Sequence, residues 1–260
     1  MEARNDRIMF LKVPIDIVTP EDLPEVINRL LPLTDSTGSA GESRDIVLLS
    51  LWDLLRARRN NEYRDYVLKA ALVIPISKSI ISGAKFLTGK APVRYMPFNF
   101  VISLLTLLER REYPLYMLGG KGQILRKAEK NVRSTFPRLK IIGRCEGYIR
   151  KQEEPAVMEA IRKASPSLLL AGKGIRGGEL WIARNSSRLN SGFRLWCSDL
   201  FDVFADKRRR PSDAVFEKGL ESLSFCFRNP LLFFRFFFYL YYKLLVLFNR
   251  FIKKSANSAD

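Results

Sequence analysis

The chain has 260 residues, 44 of them Lys or Arg against 27 Asp or Glu, which gives a net charge of +17. That length suits one α/β domain with an appendage, and that charge favours an anionic partner. The absence of histidine excludes Ser-His and Cys-His catalytic relays and removes the commonest metal ligand. Cys145, Cys197 and Cys226 are odd in number and far apart, so we expect neither a disulfide framework nor a metal site.

The N-terminus, MEARNDRIMF, contains acidic residues and no sustained apolar core, so it does not resemble a signal peptide. We therefore expect a cytoplasmic protein. If it binds a membrane, it does so from the inside.

Short apolar runs alternate with amphipathic stretches between residues 44 and 200. This alternation predicts a Rossmann-like α/β domain at 1–206, a parallel sheet with helices on both faces. A further strand is predicted before it, at 8–13. The predicted sheet strands are 46–49, 72–75, 115–118, 140–142, 168–171 and 194–197, and the predicted helices are 51–69, 78–87, 98–110, 123–135, 154–163 and 178–185.

A basic run at 207–210, followed by Pro211, marks the start of an appendage at 207–254, with a disordered tail at 255–260. The segment 229–254 is rich in Phe, Leu and Tyr and contains basic but no acidic residues. Wound as a helix, it places most basic residues on one half of its circumference and apolar residues on most of the rest. This pattern predicts a helix lying in a membrane interface, with anionic headgroups contacted by Arg208, Arg209, Arg210, Arg235, Lys243 and Arg250.

A spanning helix is the first alternative, but it needs about 20 mostly apolar residues, and Arg235 and Lys243 interrupt the run. A core helix or an oligomer interface is the second, although such helices seldom combine so many aromatic residues with a purely basic face. Zinc-ligand spacing, a helix-turn-helix signature and RNP-like aromatic motifs are all missing from the sequence. Lipid is therefore a better partner for this charge than nucleic acid.

Ligands of open α/β sheets bind at the carboxyl ends of the strands. Two glycine-rich turns follow predicted strands, at 119–122 and at 172–178. Glycines there let backbone N–H groups and a helix N-terminus approach a phosphate, although a tight strand-to-helix turn explains the first motif as well. Ser77 follows another predicted strand, with Arg94 downstream, and Asp202 follows the last.

The order of these pieces resembles the WecG/TagA/CpsF family of bacterial glycosyltransferases over roughly residues 46–235. The resemblance is carried by LLRARRNNEYRDYVLKAALVIP, LYMLGGKGQILRKAEKNVRSTFPRLKIIGRCEGYI, SPSLLLAGKGIRGGELWIARN and LFDVFADKRRRPSDAVFEKGLE. Together the first three are fairly specific, whereas each alone is weak.

The resemblance implies inverting transfer of an N-acetylhexosamine, typically N-acetylmannosamine, from a UDP-sugar donor to a polyprenyl-linked acceptor. It implies no metal or other cofactor, a peripheral position on the cytoplasmic face of the bacterial inner membrane, and leaves a homo-oligomer open. Arg94, Glu179 and Asp202 are the candidate catalytic residues, and Arg94 would neutralise the leaving diphosphate. The candidate substrate-binding residues are Ser50, Ser77, Asn99, Gly119, Gly120, Gly172 and Gly174.

The sequence departs from the family where the acceptor base is expected. The family's second strand ends in Pro-Asp-Gly, and here Ile76 and Ser77 stand in place of the aspartate and the glycine. Isoleucine cannot take a proton. One interpretation is an active transferase whose base is supplied by Glu179 or Asp202. The other is a catalytically silent relative that acts as a membrane-bound sugar-nucleotide binder or scaffold.

Overall fold

The computed structural model describes residues 6–30, 44–189, 191–219 and 234–256. Of the predicted tail at 255–260, only the first two residues are described, and they end the last helix. Cys226 lies outside the described residues.

The chain begins with an antiparallel hairpin of β1 (Asp6–Phe10) and β2 (Val13–Ile17). The sequence-based prediction of one strand at 8–13 was therefore wrong. The turn lies at Leu11 and Lys12, whose φ angles are 50° and 69°. Residues other than glycine seldom adopt this left-handed backbone conformation. A leucine followed by a lysine therefore does not predict a hairpin turn from the sequence.

A parallel sheet forms the centre of the protein, as predicted. Its strands are β3 (Asp45–Leu49), β4 (Leu72–Pro75), β5 (Leu115–Leu118), β6 (Ile141–Cys145), β7 (Leu168–Ala171) and β8 (Phe193–Trp196). In the described part of the chain they make one six-stranded sheet, in the order β4-β3-β8-β7-β5-β6. Strands buried on both faces read as continuous apolar runs, which is why the sequence located most of them closely.

The helices are α1 (Leu23–Leu30), α2 (Leu51–Ala57), α3 (Glu62–Lys69), α4 (Lys78–Thr88), α5 (Pro97–Arg111), α6 (Gly122–Thr135), α7 (Glu154–Ala164), α8 (Glu179–Asn185), α9 (Leu200–Phe204), α10 (Asp213–Lys218) and the C-terminal helix (Phe234–Ala256). One face of the sheet packs against α1, α5, α6 and α9. The other face packs against α2, α3, α4 and the C-terminal helix at one end and against α7 and α8 at the other. The predicted architecture, a Rossmann-like sheet with helices on both faces, is confirmed.

The predicted helix at 51–69 is two helices in the structure. The Asn61 side chain caps α3 by accepting a hydrogen bond from the Arg64 backbone N–H at 2.9 Å. An asparagine at this position favours a helix start over a helix interior, because its side chain competes with the backbone for hydrogen bonds.

The C-terminal helix is present and packs against α4 through a narrow stripe. Tyr242 is only 1% exposed and donates its hydroxyl to the Ser79 carbonyl oxygen at 2.5 Å. Gly83 makes this close approach possible because a Cβ there would overlap the Tyr242 hydroxyl. Among the described residues, no helix is both long enough and apolar enough to cross a bilayer.

Candidate functional site

All six strands of the sheet are parallel, so their carboxyl ends meet at one edge, which we call the carboxyl edge. The predicted substrate-binding residues Ser50, Ser77, Gly119 and Gly172 each follow directly, or within two residues, the last residue of a strand. The fold therefore brings them to the same edge of the sheet. Their side chains and backbone groups nevertheless have different local partners.

The two glycine turns are bonded to each other through their backbones. Gly119 donates its N–H to the Cys145 carbonyl at 2.9 Å, Gly120 donates to Lys173 at 2.6 Å, and Gly172 donates to Leu118 at 2.7 Å. These N–H groups therefore hold neighbouring turns together. The N–H groups of Gly119, Gly120 and Gly172 are thus already used and do not face a phosphate at this edge.

Neither Gly119 nor Gly172 has room for a side chain. A Cβ at Gly119 would lie 2.7 Å from the Gly172 carbonyl oxygen, and a Cβ at Gly172 would lie 2.7 Å from the Phe201 ring. Gly174, with a φ of +94°, lies against the ring of Tyr148. The glycines thus allow three loops to converge at the ends of β5 and β7.

Asp202 lies beside these turns and is 4% exposed. Its Oδ2 accepts a hydrogen bond from the Lys173 ammonium group, whereas Oδ1 is buried and has no partner among the described residues. Its backbone carbonyl accepts the N–H groups of Lys207 and Arg208 at 2.9 and 3.0 Å. Asp202 therefore anchors the start of the basic run to the carboxyl edge.

Glu179 is in a different place. It opens α8, and its Oε1 accepts a hydrogen bond from Arg56 on α2 at 2.6 Å. The Arg56 guanidinium in turn lies 4.1 Å from the centre of the Tyr63 ring. Glu179 thus joins α8 to α2 and α3, on the side of the carboxyl edge where β3 and β4 end.

Arg94 is covered by α10. Its Nε donates to the Ile76 carbonyl at 2.9 Å, and its Nη1 donates to the Phe216 carbonyl. The Phe216 ring stacks on the guanidinium, with 3.7 Å between the carbon and the ring centre. Lys78 also contacts α10, because its ammonium group donates a hydrogen bond to the Glu217 carbonyl at 2.8 Å. The three predicted catalytic residues therefore line the edge at separate points, each with its own partner.

The remaining predicted residues have mainly structural contacts. Ser50 caps α2, and the Ser77 hydroxyl accepts the Leu51 N–H at 3.0 Å, which ties the end of β4 to the start of α2. Asn99 is exposed and accepts a hydrogen bond from Arg210 at 3.3 Å.

The sequence analysis missed Asp53 and Lys173 as candidates. Asp53 forms a capping box with Ser50, for which the Ser-x-x-Asp spacing is the available sequence signal. Burial raises the pKa of the Asp53 carboxyl above its usual range, and the like charge of Glu179 adds to this, while hydrogen bonds from Ser50 and the charge of Arg56 act in the opposite direction. Lys173 lies between two glycines, and nothing in the sequence indicates its ion pair with Asp202.

The C-terminal helix has three distinct sides. Tyr242, Leu245 and Val246 contact the domain, and Tyr242 is buried there although a tyrosine also suits a polar helix face. Lys243 and Arg250 lie on a second side, and Arg250 donates to the Phe86 carbonyl at 3.0 Å. The third side, here called the apolar arc, is exposed and consists of Phe237, Leu240, Tyr241, Leu244, Leu247, Phe248 and Phe251. The side chain of Arg235 lies outside the described residues.

The other predicted headgroup contacts precede α10. Arg208 forms an ion pair with Asp199, and Arg210 lies 5.3 Å from the centre of the Phe98 ring. Arg209 is exposed. The basic run is thus attached to the carboxyl edge at Asp199 and Asp202.

A parallel sheet whose glycine-rich turns converge at the carboxyl edge defines a Rossmann-like α/β protein. More particularly, the chain belongs to the glycosyl transferase WecG/TagA/CpsF family, which it matches over residues 8–257. This match confirms the resemblance and extends it to the N-terminal hairpin and the C-terminal helix.

Two curated relatives are similar over the same length. They are the N-acetylglucosaminyldiphosphoundecaprenol N-acetyl-beta-D-mannosaminyltransferases of Bacillus subtilis (strain 168) and Bacillus spizizenii. Each is 20% identical to this chain over 174 residues, which is 67% of this chain and 67% of the relative.

Proposed function

We propose that the protein transfers an N-acetylhexosamine, of the N-acetylmannosamine type, from a UDP-sugar to a polyprenyl-diphosphate-linked sugar during bacterial cell-surface polysaccharide synthesis. The observation that carries this proposal is the family match over residues 8–257, nearly the whole chain. The names of the two relatives supply the sugar and the lipid acceptor. The geometry of the carboxyl edge is compatible with this chemistry.

In the proposed reaction, the acceptor hydroxyl attacks the anomeric carbon while UDP leaves. Negative charge develops on the leaving diphosphate, and cations near it stabilise the transition state. Arg94 and Lys173 are two cations that the fold holds beside the strand ends. Because Phe216 stacks on Arg94 and its carbonyl accepts from the guanidinium, a diphosphate that contacts Arg94 would displace α10.

The C-terminal helix would bring this edge to the membrane. Its apolar arc exposes seven large side chains, with Lys243 and Arg250 on the adjoining side. An isolated apolar surface of this kind beside cations suits the boundary between acyl chains and anionic headgroups. A polyprenyl-linked acceptor is presented at that level, so we place the protein peripherally on the inner face of the bacterial cytoplasmic membrane.

The test of the proposed function is UDP release from UDP-N-acetylhexosamines in the presence of a short polyprenyl-diphosphate-GlcNAc analogue. We expect release by the wild type and a loss of about 10²-fold or more in Arg94→Ala, because a positioned cation is removed from the leaving group. Arg59→Ala, an exposed arginine in the loop between α2 and α3, is the control and should retain wild-type release.

Two other outcomes of this assay would also be informative. Tight UDP binding without release would contradict the transferase proposal and favour a sugar-nucleotide binder. If Arg94→Ala releases UDP as fast as the wild type, the protein is a transferase but Arg94 takes no part in its mechanism. Melting curves of both variants check that the loss of the Ile76 and Phe216 contacts has not unfolded the protein.

A second candidate function is a catalytically silent, membrane-bound sugar-nucleotide binder or scaffold. It is favoured by Ile76, which stands where the family has its base, and by the stacking of Phe216 over Arg94. The same assay separates the two candidates, because a scaffold releases no UDP with any N-acetylhexosamine donor.

A further inference from the structure

A carboxylate that the sequence analysis did not select lies in the first turn of α2, directly after the end of β3. It belongs to Asp53, whose Oδ2 accepts hydrogen bonds from the Ser50 backbone N–H at 3.0 Å and from the Ser50 hydroxyl. These bonds direct the carboxylate back toward the start of α2, at the carboxyl end of β3. Among the described residues, Oδ1 accepts no hydrogen bond.

The ends of β3 and β4 are in direct contact at this point. The Ile76 N–H donates to the Leu49 carbonyl at 3.0 Å, and the Leu51 N–H donates to the Ser77 hydroxyl at 3.0 Å. The start of α2, which carries Asp53 in its first turn, is therefore bonded to the residues that follow β4, Ile76 and Ser77. A side chain from α2 thus supplies a carboxylate to the carboxyl edge of the sheet.

Glu179 and Asp202, the two carboxylates selected from the sequence, are less suited to accept a proton. Glu179 is paired with Arg56, and Asp202 is buried beneath Lys173. A cation bound to a carboxylate stabilises its charged form and weakens it as a base. Asp53 accepts its hydrogen bonds from the neutral Ser50 instead.

We propose that Asp53 is the general base of the transfer reaction, a role that rests on the proposed function. Its Oδ1 would take the proton of the acceptor hydroxyl as that oxygen bonds to the anomeric carbon of the donor. The bond from the anomeric carbon to the diphosphate oxygen breaks in the same step, and its electron pair leaves with UDP. The products are the lengthened lipid-linked sugar, UDP and a protonated Asp53, which releases its proton to water.

The surroundings of Asp53 suit this role. Burial raises the pKa of its carboxyl, and the charge of Glu179 on α8 acts in the same direction, against the hydrogen bonds of Ser50 and the charge of Arg56. The charge of Asp53 also acts on Tyr63 on α3. A raised pKa strengthens the base. The base is charged above that pKa and protonated below it, so the transfer rate should fall as the pH is lowered through it.

The test compares Asp53→Asn with the wild type in the full-length protein. General-base catalysis contributes roughly 10²–10⁴-fold, so we expect kcat to fall by that factor, UDP affinity to stay within about threefold, and the acidic limb of the pH profile to disappear. Asn61→Ala, which removes the cap of α3, is the control for loss of a helix cap and should keep both the rate and the acidic limb.

Each other outcome decides against the proposal. Transfer by Asp53→Asn at near the wild-type rate would exclude Asp53 as the base while leaving the proposed function intact. An equal loss in Asn61→Ala would assign the effect to helix capping. If the wild type itself transfers no sugar, both this inference and the proposed function fail.

Discussion

Replacing Phe237, Leu244 and Phe248 together by serine is expected to release the protein from membranes. All three belong to the apolar arc, and Phe248 is 64% exposed, so the substitutions leave the domain core unchanged. Burying each such side chain in lipid contributes about 1.5 kcal/mol or more. The triple variant should therefore bind vesicles of phosphatidylethanolamine and phosphatidylglycerol about 10³-fold more weakly, measured by co-sedimentation.

The matched control is Ile142→Ser, which removes an exposed apolar side chain from β6, an edge strand at the far side of the sheet. It should bind vesicles as the wild type does. If the triple variant still sediments with the vesicles, the apolar arc is not the membrane contact. If the wild type stays in the supernatant but forms oligomers that the triple variant does not, the arc is instead an interface between copies of the chain.

Substituting alanine for Gly119 is expected to destabilise the protein strongly and to disrupt the carboxyl edge. Its φ of +119° is one that L side chains rarely adopt, and the new Cβ would lie 2.7 Å from the Gly172 carbonyl oxygen, a backbone atom that cannot move independently. Strained backbone and overpacking each cost about 1–3 kcal/mol. We expect a decrease of roughly 10 °C in the melting temperature.

Gly89→Ala separates the two contributions. Gly89 also has a positive φ, +76°, but a Cβ there meets nothing within 4 Å. Gly89→Ala should therefore lose only the stability that the left-handed backbone conformation costs an alanine. This loss is about 1 kcal/mol, or a few degrees in melting temperature. Equal melting temperatures of the two variants would show that the contact between the glycine turns contributes nothing to stability.

Much of the fold was predictable because buried parallel strands have local signatures. The runs at 72–75, 115–118 and 168–171 coincide with β4, β5 and β7. The hairpin was not predictable, since its turn uses left-handed Leu11 and Lys12. The short helix α9 was not predicted either, because five residues are too few to show a helical period.

The candidate site was predictable in position and less so in detail. Glycine turns after strands indicate the carboxyl edge, but the sequence does not reveal that the N–H groups of Gly119 and Gly120 are used in bonds between loops. Asp53 was missed because the sequence does not show that the start of α2 is bonded to Ser77, at the end of β4. Phe216 was assigned to an appendage, yet it lies on Arg94.

The sequence by itself determined the α/β class, the family and the amphipathic C-terminal helix, since periodicity, glycine position and charge are local properties of the chain. Only the tertiary structure decided which side chains share the carboxyl edge and which side of the last helix is free. Tyr242 illustrates the reason: a tyrosine is compatible with a polar helix face, but the absence of a side chain at Gly83, far away in sequence, allows it to be buried. Such contacts depend on residues that only folding brings together.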